Sequence, residues 1–147
     1  MLKKVLIALA IIFIIAQFFR SQKNISSETP ATDFLIVTKA DNAIASIIKT
    51  SCYDCHSNNT SYPWYSEIAP LSWWITHHVD EAKEELNFSV WSTFSEKRKK
   101  HKLKEMIEQL EEKEMPLKTY LPMHPKAKLT DNQINELINW VKRLRNN

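Results

Sequence analysis

Glycine is missing altogether from this chain of 147 residues. Tight turns and helix ends commonly use residues that tolerate positive φ, so other residues must serve there, and asparagines such as Asn58, Asn59 and Asn87 are the expected substitutes. Cysteine is scarce as well: there are two, Cys52 and Cys55, with no second C-x-x-C and no H-x₃₋₅-H pair to complete an ordinary four-ligand zinc site. No run of alternating apolar and polar residues precedes Cys52, which removes the βαβ setting of a thioredoxin-like dithiol. Net charge is lacking outside the N-terminus. Residues 1–32 hold Lys3, Lys4, Arg20 and Lys23 against Glu28, which is the whole formal +3 of the chain, and residues 33–147 balance. The basic character is therefore a topology signal, and it gives no reason to expect nucleic-acid binding.

What is present is Cys52-Tyr53-Asp54-Cys55-His56, a single C-x-x-C-H that uses both cysteines. Two thiols at this spacing can add to the two vinyl groups of a haem while the adjacent imidazole coordinates the iron, so Cys52, Cys55 and His56 are the expected attachment points and proximal ligand of one covalent haem c. A zinc hook through His77 or His78 and a structural disulfide are the competing uses. A disulfide this short closes a loop that removes little chain entropy.

The chain begins with a basic Met1-Leu2-Lys3-Lys4 and an apolar stretch from Val5 to Phe19, broken by Gln17. This pattern directs export, and no small-x-small pair marks a cleavage site. Residues 1–20 are expected to be an uncleaved inner-membrane anchor with the domain on the periplasmic side; a cleaved signal and a periplasmic product is the second choice. The fifteen residues of Val5 to Phe19 reach about 22 Å as a helix, short of the roughly 30 Å hydrocarbon core, with Lys3, Lys4 and Arg20 placed to snorkel.

Residues 21–32 are polar without apolar periodicity and read as a linker; residues 33–147 read as one mostly α domain wrapped around the haem. Asp41 is placed to cap a helix through Ile44, Ile47 and Ile48 that delivers Cys52. The aromatic loop Tyr62-Pro63-Trp64-Tyr65 offers walls for the haem. A helix from Leu71 to about Leu86 carries Trp74, Ile75, His78 and Ala82 on one side. Ser92 or Ser95 opens a polar helix to about Lys113, whose Lys97 to Lys102 run reads chiefly as a solvated face, with docking of an acidic redox partner as the other use. Three prolines between Met115 and Pro125 predict an extended stiff loop. Thr130 and Gln133 form a capping box for a last helix with Ile134, Leu137, Ile138, Val141 and Leu144 inward and Trp140 on its flank.

Taken together, Ser51 to Asn58, Tyr62-Pro63-Trp64-Tyr65, Ile68-Ala69-Pro70, Ser72-Trp73, His78-Val79, Leu86 to Ser89 with Trp91, Met115-Pro116, Tyr120, and His124-Pro125 with Ala127 and Leu129 closely resemble the bacterial haem-binding domain family. The resemblance covers about residues 35 to 147 and implies a small periplasm-facing, cytochrome c-like module. Ala82 stands where that family often has glycine. In cytochromes c of this general design the distal ligand comes from the loop before the final helix. On that resemblance Met115, in the Met-Pro pair, is the expected sixth ligand, ahead of Met123, His124 and His78. Six-coordinate haem suits single-electron exchange with redox partner proteins, an electron carrier rather than a catalyst. A peroxidase-like haem enzyme and a haem-based sensor or structural module, with an open distal site, are the alternatives.

Overall fold

The computed structural model describes residues 1–146. Among them all regular structure is helical, with seven α-helices, short 3-10 turns and no strand, in agreement with the mostly α expectation. The helices are α1 (Leu2–Ala16), α2 (Phe34–Thr38), α3 (Asn42–Ser51), α4 (Tyr53–His56), α5 (Leu71–Glu85), α6 (Glu96–Glu111) and α7 (Asp131–Asn146).

Local chemistry sets most of the starts. The Asp41 carboxylate accepts from the N–H groups of Ala43 and Ile44, both at 3.0 Å, at the head of α3. Ser95, and not Ser92, opens α6, its hydroxyl accepting from Arg98 N at 3.3 Å. Thr130 and Gln133 make the reciprocal bonds of a capping box before α7, at 2.9 and 3.3 Å. Each such cap contributes about 1 kcal/mol by occupying donors that a helix leaves bare in its first turn. One further start, Asp33 at α2, lies outside the expected helices: its carboxylate accepts from Leu35 N at 3.0 Å and is itself 1% exposed. Only five residues long, α2 has too little periodicity to announce itself.

The core is aromatic at its centre. Phe34 of α2 stacks on Phe88 with centroids 4.9 Å apart and meets the edges of Trp91 and Trp140 at 4.8 and 5.5 Å. Around them pack Ile44 and Ile48 of α3, Leu103, Ile107 and Leu110 of α6, and Leu137 and Val141 of α7. Burying each of these side chains stabilises by about 1.5–3 kcal/mol before the entropy of ordering is subtracted. Trp140 is a correction: it is 7% exposed and part of the core, because α2 supplies the Phe34 ring that packs against it.

Positive φ is also taken up differently from expectation. Among the described residues it falls on Lys39 (φ 50°), which ends α2, and Lys113 (φ 55°), two residues past α6, and on no asparagine. Both lysines are unbranched at Cβ and exposed, Lys113 pairing with Asp131 at 2.6 Å at the surface, so the left-handed turn costs them about 1–2 kcal/mol and no buried contact. The asparagines are used as hydrogen-bonding side chains instead. Asn87 accepts from Ser89 N at 3.0 Å and donates to Asn58 at 2.8 Å.

Residues 21–32 lie against the helices. Asn24 donates to Ser57 O and the Thr60 hydroxyl, at 2.7 and 2.9 Å, and accepts from Lys83. Thr32 donates to Ser89 O at 2.6 Å. A polar strap of this kind carries no apolar period, which is why its sequence reads as a linker. The Lys97 to Lys102 run is paired in part: Lys99 meets Glu96, and Lys102 meets Glu85 and Glu105, within 3.1 Å, while Arg98 lies over the Phe94 ring.

No helix among the described residues is long and apolar enough to cross a membrane. α1 has no buried residue, and ends four residues before Arg20. Its end is fixed by Gln17, whose side-chain amide accepts from Ala69 N at 3.0 Å and donates to Ala69 O at 3.2 Å.

Candidate functional site

The site is built where the short α4 meets the end of α5. The end of α5 and the residue that follows it turn two carbonyls to one side chain: His56 Nδ1 lies 2.9 Å from Leu86 O and 3.0 Å from Ala82 O, the latter also accepting from Leu86 N. Both neighbours are acceptors, so the proton sits on Nδ1 and Nε2 carries the free lone pair, the arrangement of a metal-ligating imidazole with its outer partner in place. Burial pushes the His56 pKa below its ordinary value, against the pull of the two carbonyls, which keeps the ring neutral. Alanine at position 82 leaves α5 close enough for this contact. On its other side the imidazole meets Phe88 edge-on at 6.1 Å, and through Phe88 it touches the aromatic core.

Cys52 and Cys55 flank this ring as free, half-buried thiols. Burial, with the charge of Cys55 adding to it, pushes Cys52 up to about 12; burial and the Asp54 carboxylate push Cys55 up to about 11. A dithiol redox pair works through a lowered thiol pKa, and the all-helical setting lacks the strand such a pair sits beside. Of the imidazoles that a zinc hook would use, His77 pairs with Glu81 at 3.2 Å, while His78 donates through Nδ1 to Trp74 O at 3.0 Å and keeps Nε2 free. No group of three or more His, Cys, Asp or Glu among the described residues is placed to hold a metal ion.

Two cavities of about 430 and 410 Å³ lie beside the motif, joined by a small one of about 50 Å³ that shares walls with both. Cys52 and His56 face the first, Cys55 the second, and all three the small one. The volumes are those of cofactor pockets, and the second is walled by Tyr62, Trp64, Leu71, Trp74 and Ile75. A haem fits this donor set: two unpaired thiols, a neutral imidazole oriented by its outer nitrogen, and apolar walls.

The motif is tied down at both of its inner residues. The Tyr53 hydroxyl donates to Asp33 at 2.8 Å, and its ring stacks on Phe88 at 5.3 Å. The other carboxylate oxygen of Asp33 is buried without a partner. Tyr53→Phe should therefore destabilise the fold by about 1–3 kcal/mol, read as a lower denaturant midpoint at unchanged slope, since it strips a buried carboxylate of its side-chain donor. A midpoint equal to wild type would show the bond to be worth nothing net. Asp54 accepts from the Tyr120 hydroxyl at 2.6 Å across 66 residues of chain, which brings the segment after α6 onto the haem motif.

That segment is a series of turns, which corrects the expected extended loop. Glu114 N and Met115 N both return to Gln109 O, and Tyr120 N and His124 N close onto Leu117 O and Leu121 O. Main-chain bonds available at the bare end of α6 win over the extended preference of the residues before proline. The turns place Met115 on the first and small cavities together with His56. His78 shares only the small one with His56; Met123, 57% exposed, and His124 line the second. His124 has both nitrogens engaged: Nδ1 donates to Tyr120 O at 3.2 Å, so Nε2 accepts from Tyr65 OH at 3.2 Å, with the ring stacked on Tyr120 at 3.9 Å. The carbonyls of Ala82 and Leu86 and the Asp54–Tyr120 bond had no sequence signal. Backbone acceptors are anonymous in a sequence, and 66 residues separate the bonded pair.

An all-α chain folded around a single C-x-x-C-H with its imidazole held for iron defines a haem-binding module. A family model for the haem-binding domain matches residues 11–143, and the chain belongs to that family. No curated protein and no solved structure matches the chain.

Proposed function

We propose that this haem-binding domain is a membrane-tethered c-type cytochrome that passes single electrons between partner proteins outside the cytoplasm. The observation that carries the reading is the neutral His56 ring, anchored through Nδ1 to α5 and flanked by two free thiols on an apolar cavity. In this reading Cys52 and Cys55 would hold the haem through thioethers, and His56 Nε2 and the Met115 sulfur would ligate its iron. The haem supplies an iron that changes oxidation state by one electron. The protein's part would be to orient the imidazole, offer the soft Met115 sulfur as a further ligand and line the cavity with aromatic walls, so that electrons pass without substrate chemistry.

The tether rests on α1, whose large apolar side chains are at least half exposed, and on the basic residues at either end of the stretch. About 22 Å of helix needs Lys3, Lys4 and Arg20 to snorkel, or the bilayer to thin, before it can bridge the hydrocarbon. One observation favours a second reading, a peroxidase-like enzyme: His78 keeps Nε2 uncommitted on the small cavity it shares with His56.

Absorption spectra of both oxidation states distinguish the two. Six-coordinate low-spin haem, unchanged by added cyanide over seconds, supports the electron carrier; a high-spin site that binds cyanide at once sinks it and favours the enzyme. Alkaline washing of membranes tests the tether separately, with retention of the haem protein in the pellet as the expected result.

A further inference from the structure

We infer that the corner of the domain formed by Trp64, Ile68, Leu71, Trp73 and Trp74 lies in the headgroup layer of the bilayer that holds α1, so that the domain rests on the membrane surface with this face down. The inference rests on the tether proposed above and adds a surface to it. These five side chains lie within eleven residues of chain and remain 74%, 37%, 40%, 40% and 46% exposed, an apolar patch that no described residue covers.

Three sets of contacts lock the end of α1 to this corner. Gln17 holds both polar groups of the Ala69 backbone, the Trp73 indole N–H donates to Phe19 O at 2.6 Å, and Arg20 and Lys23 both pair with Glu67. Phe18 and Phe19, 82% and 65% exposed, continue the apolar surface of α1 into that of the corner. A helix seated in lipid therefore brings the patch to the interface with it. Tryptophan is the residue that prefers this layer, apolar in body with one donor. Charge agrees: Arg20 and Lys23 share the single carboxylate of Glu67 beside the corner, which leaves one positive charge there, and Lys3 and Lys4 lie at the other end of the apolar stretch, which suits the anionic headgroups of a bacterial membrane. The short helix then makes sense, because a domain drawn into the headgroups brings the end of α1 deeper than one held above them.

Trp64, Leu71 and Trp74 also wall the second cavity. The face set on the membrane therefore shares a cavity of about 410 Å³ with Asp54 and Cys55 of the haem motif.

The test uses the full-length, haem-loaded protein in vesicles of phosphatidylcholine and phosphatidylglycerol whose acyl chains are brominated near the headgroup, and compares the residual tryptophan emission that survives energy transfer to the haem, followed by its decay time, with that in unbrominated vesicles. Bromine quenches only at contact. The expected result is a loss of emission in the wild type that disappears in a variant carrying Trp64→Phe, Trp73→Phe and Trp74→Phe, since the remaining Trp91 and Trp140 are in the core. Trp64→Phe alone, at a side chain that makes no hydrogen bond in the structure, should remove part of the quenching and guards against a triple variant that misfolds. Equal emission in the two kinds of vesicle, from protein that still floats with them after an alkaline wash, overturns the inference and leaves the tether standing. Protein that washes off removes the tether, and the inference with it. Emission indifferent to bromine but shifted to the blue as the protein-to-lipid ratio rises would assign the patch to a second copy of the chain, which also overturns it.

Discussion

Denaturing electrophoresis of a Cys52→Ala, Cys55→Ala double variant should give a protein band with no haem stain, against a strongly stained wild type. Thioethers survive denaturant; an imidazole–iron bond does not, so the stain reads the covalent link alone. Both thiols are free and share the small cavity with the His56 ring, and no other cysteine exists to replace them. Each single variant keeps one attachment and should stain more weakly. The double variant should also lose much of its thermal stability. Two cavities of about 400 Å³ each leave apolar walls in contact with water, and a bound group that fills them stabilises only the folded state. For a domain with a total stability of about 5–15 kcal/mol, that loss is a large fraction. Full staining of the double variant, or none in the wild type, removes covalent haem from the account.

Met115→Ala should abolish the thioether-to-iron charge-transfer band at the red end of the oxidised spectrum and lower the reduction potential, by on the order of 0.1 V within the roughly 0.8 V that axial ligands span. A thioether favours the reduced iron; water or a nitrogen ligand in its place does not. Met115 lines both the first and the small cavity with His56, and Met106 lines the first only, while Met123 is exposed and lines the second, so Met123→Ala should leave both signals intact. His124 is an unfavourable substitute because both its nitrogens are already bonded. If Met123→Ala loses the band and Met115→Ala keeps it, the ligand comes from the other end of the same loop. If the wild type has no band and His78→Ala alters the spectrum, the distal ligand is the imidazole of α5.

Much of the helical framework was legible because its signals are local. A cap and its helix are neighbours in the chain: Asp41, Ser95 and Thr130 with Gln133 act over three residues, and the apolar stripe of α7 repeats within sixteen. What escaped was nonlocal or short. Trp140 looked like a flank residue because nothing in its own helix says that Phe34, more than a hundred residues earlier, will pack against it. The strap of residues 21–32 looked free because its bonds go to Ser57, Thr60, Lys83 and Ser89. The loop with three prolines looked extended because local sterics say so, and it is turned because Gln109 O lies within reach.

The haem motif itself belongs to the sequence alone: two thiols and an imidazole in five residues carry a chemistry that no folding is needed to recognise. Its working state was decided by the tertiary structure. The proton on His56 Nδ1 is set by the carbonyls of Ala82 and Leu86, brought there by the end of a helix that begins fifteen residues after the motif. The position of Met115 is set by the return of the chain onto α6 and by the bond between Tyr120 and Asp54. Covalent spacing is written in the order of residues, whereas protonation, burial and the pairing of distant side chains follow from which surfaces the fold brings together.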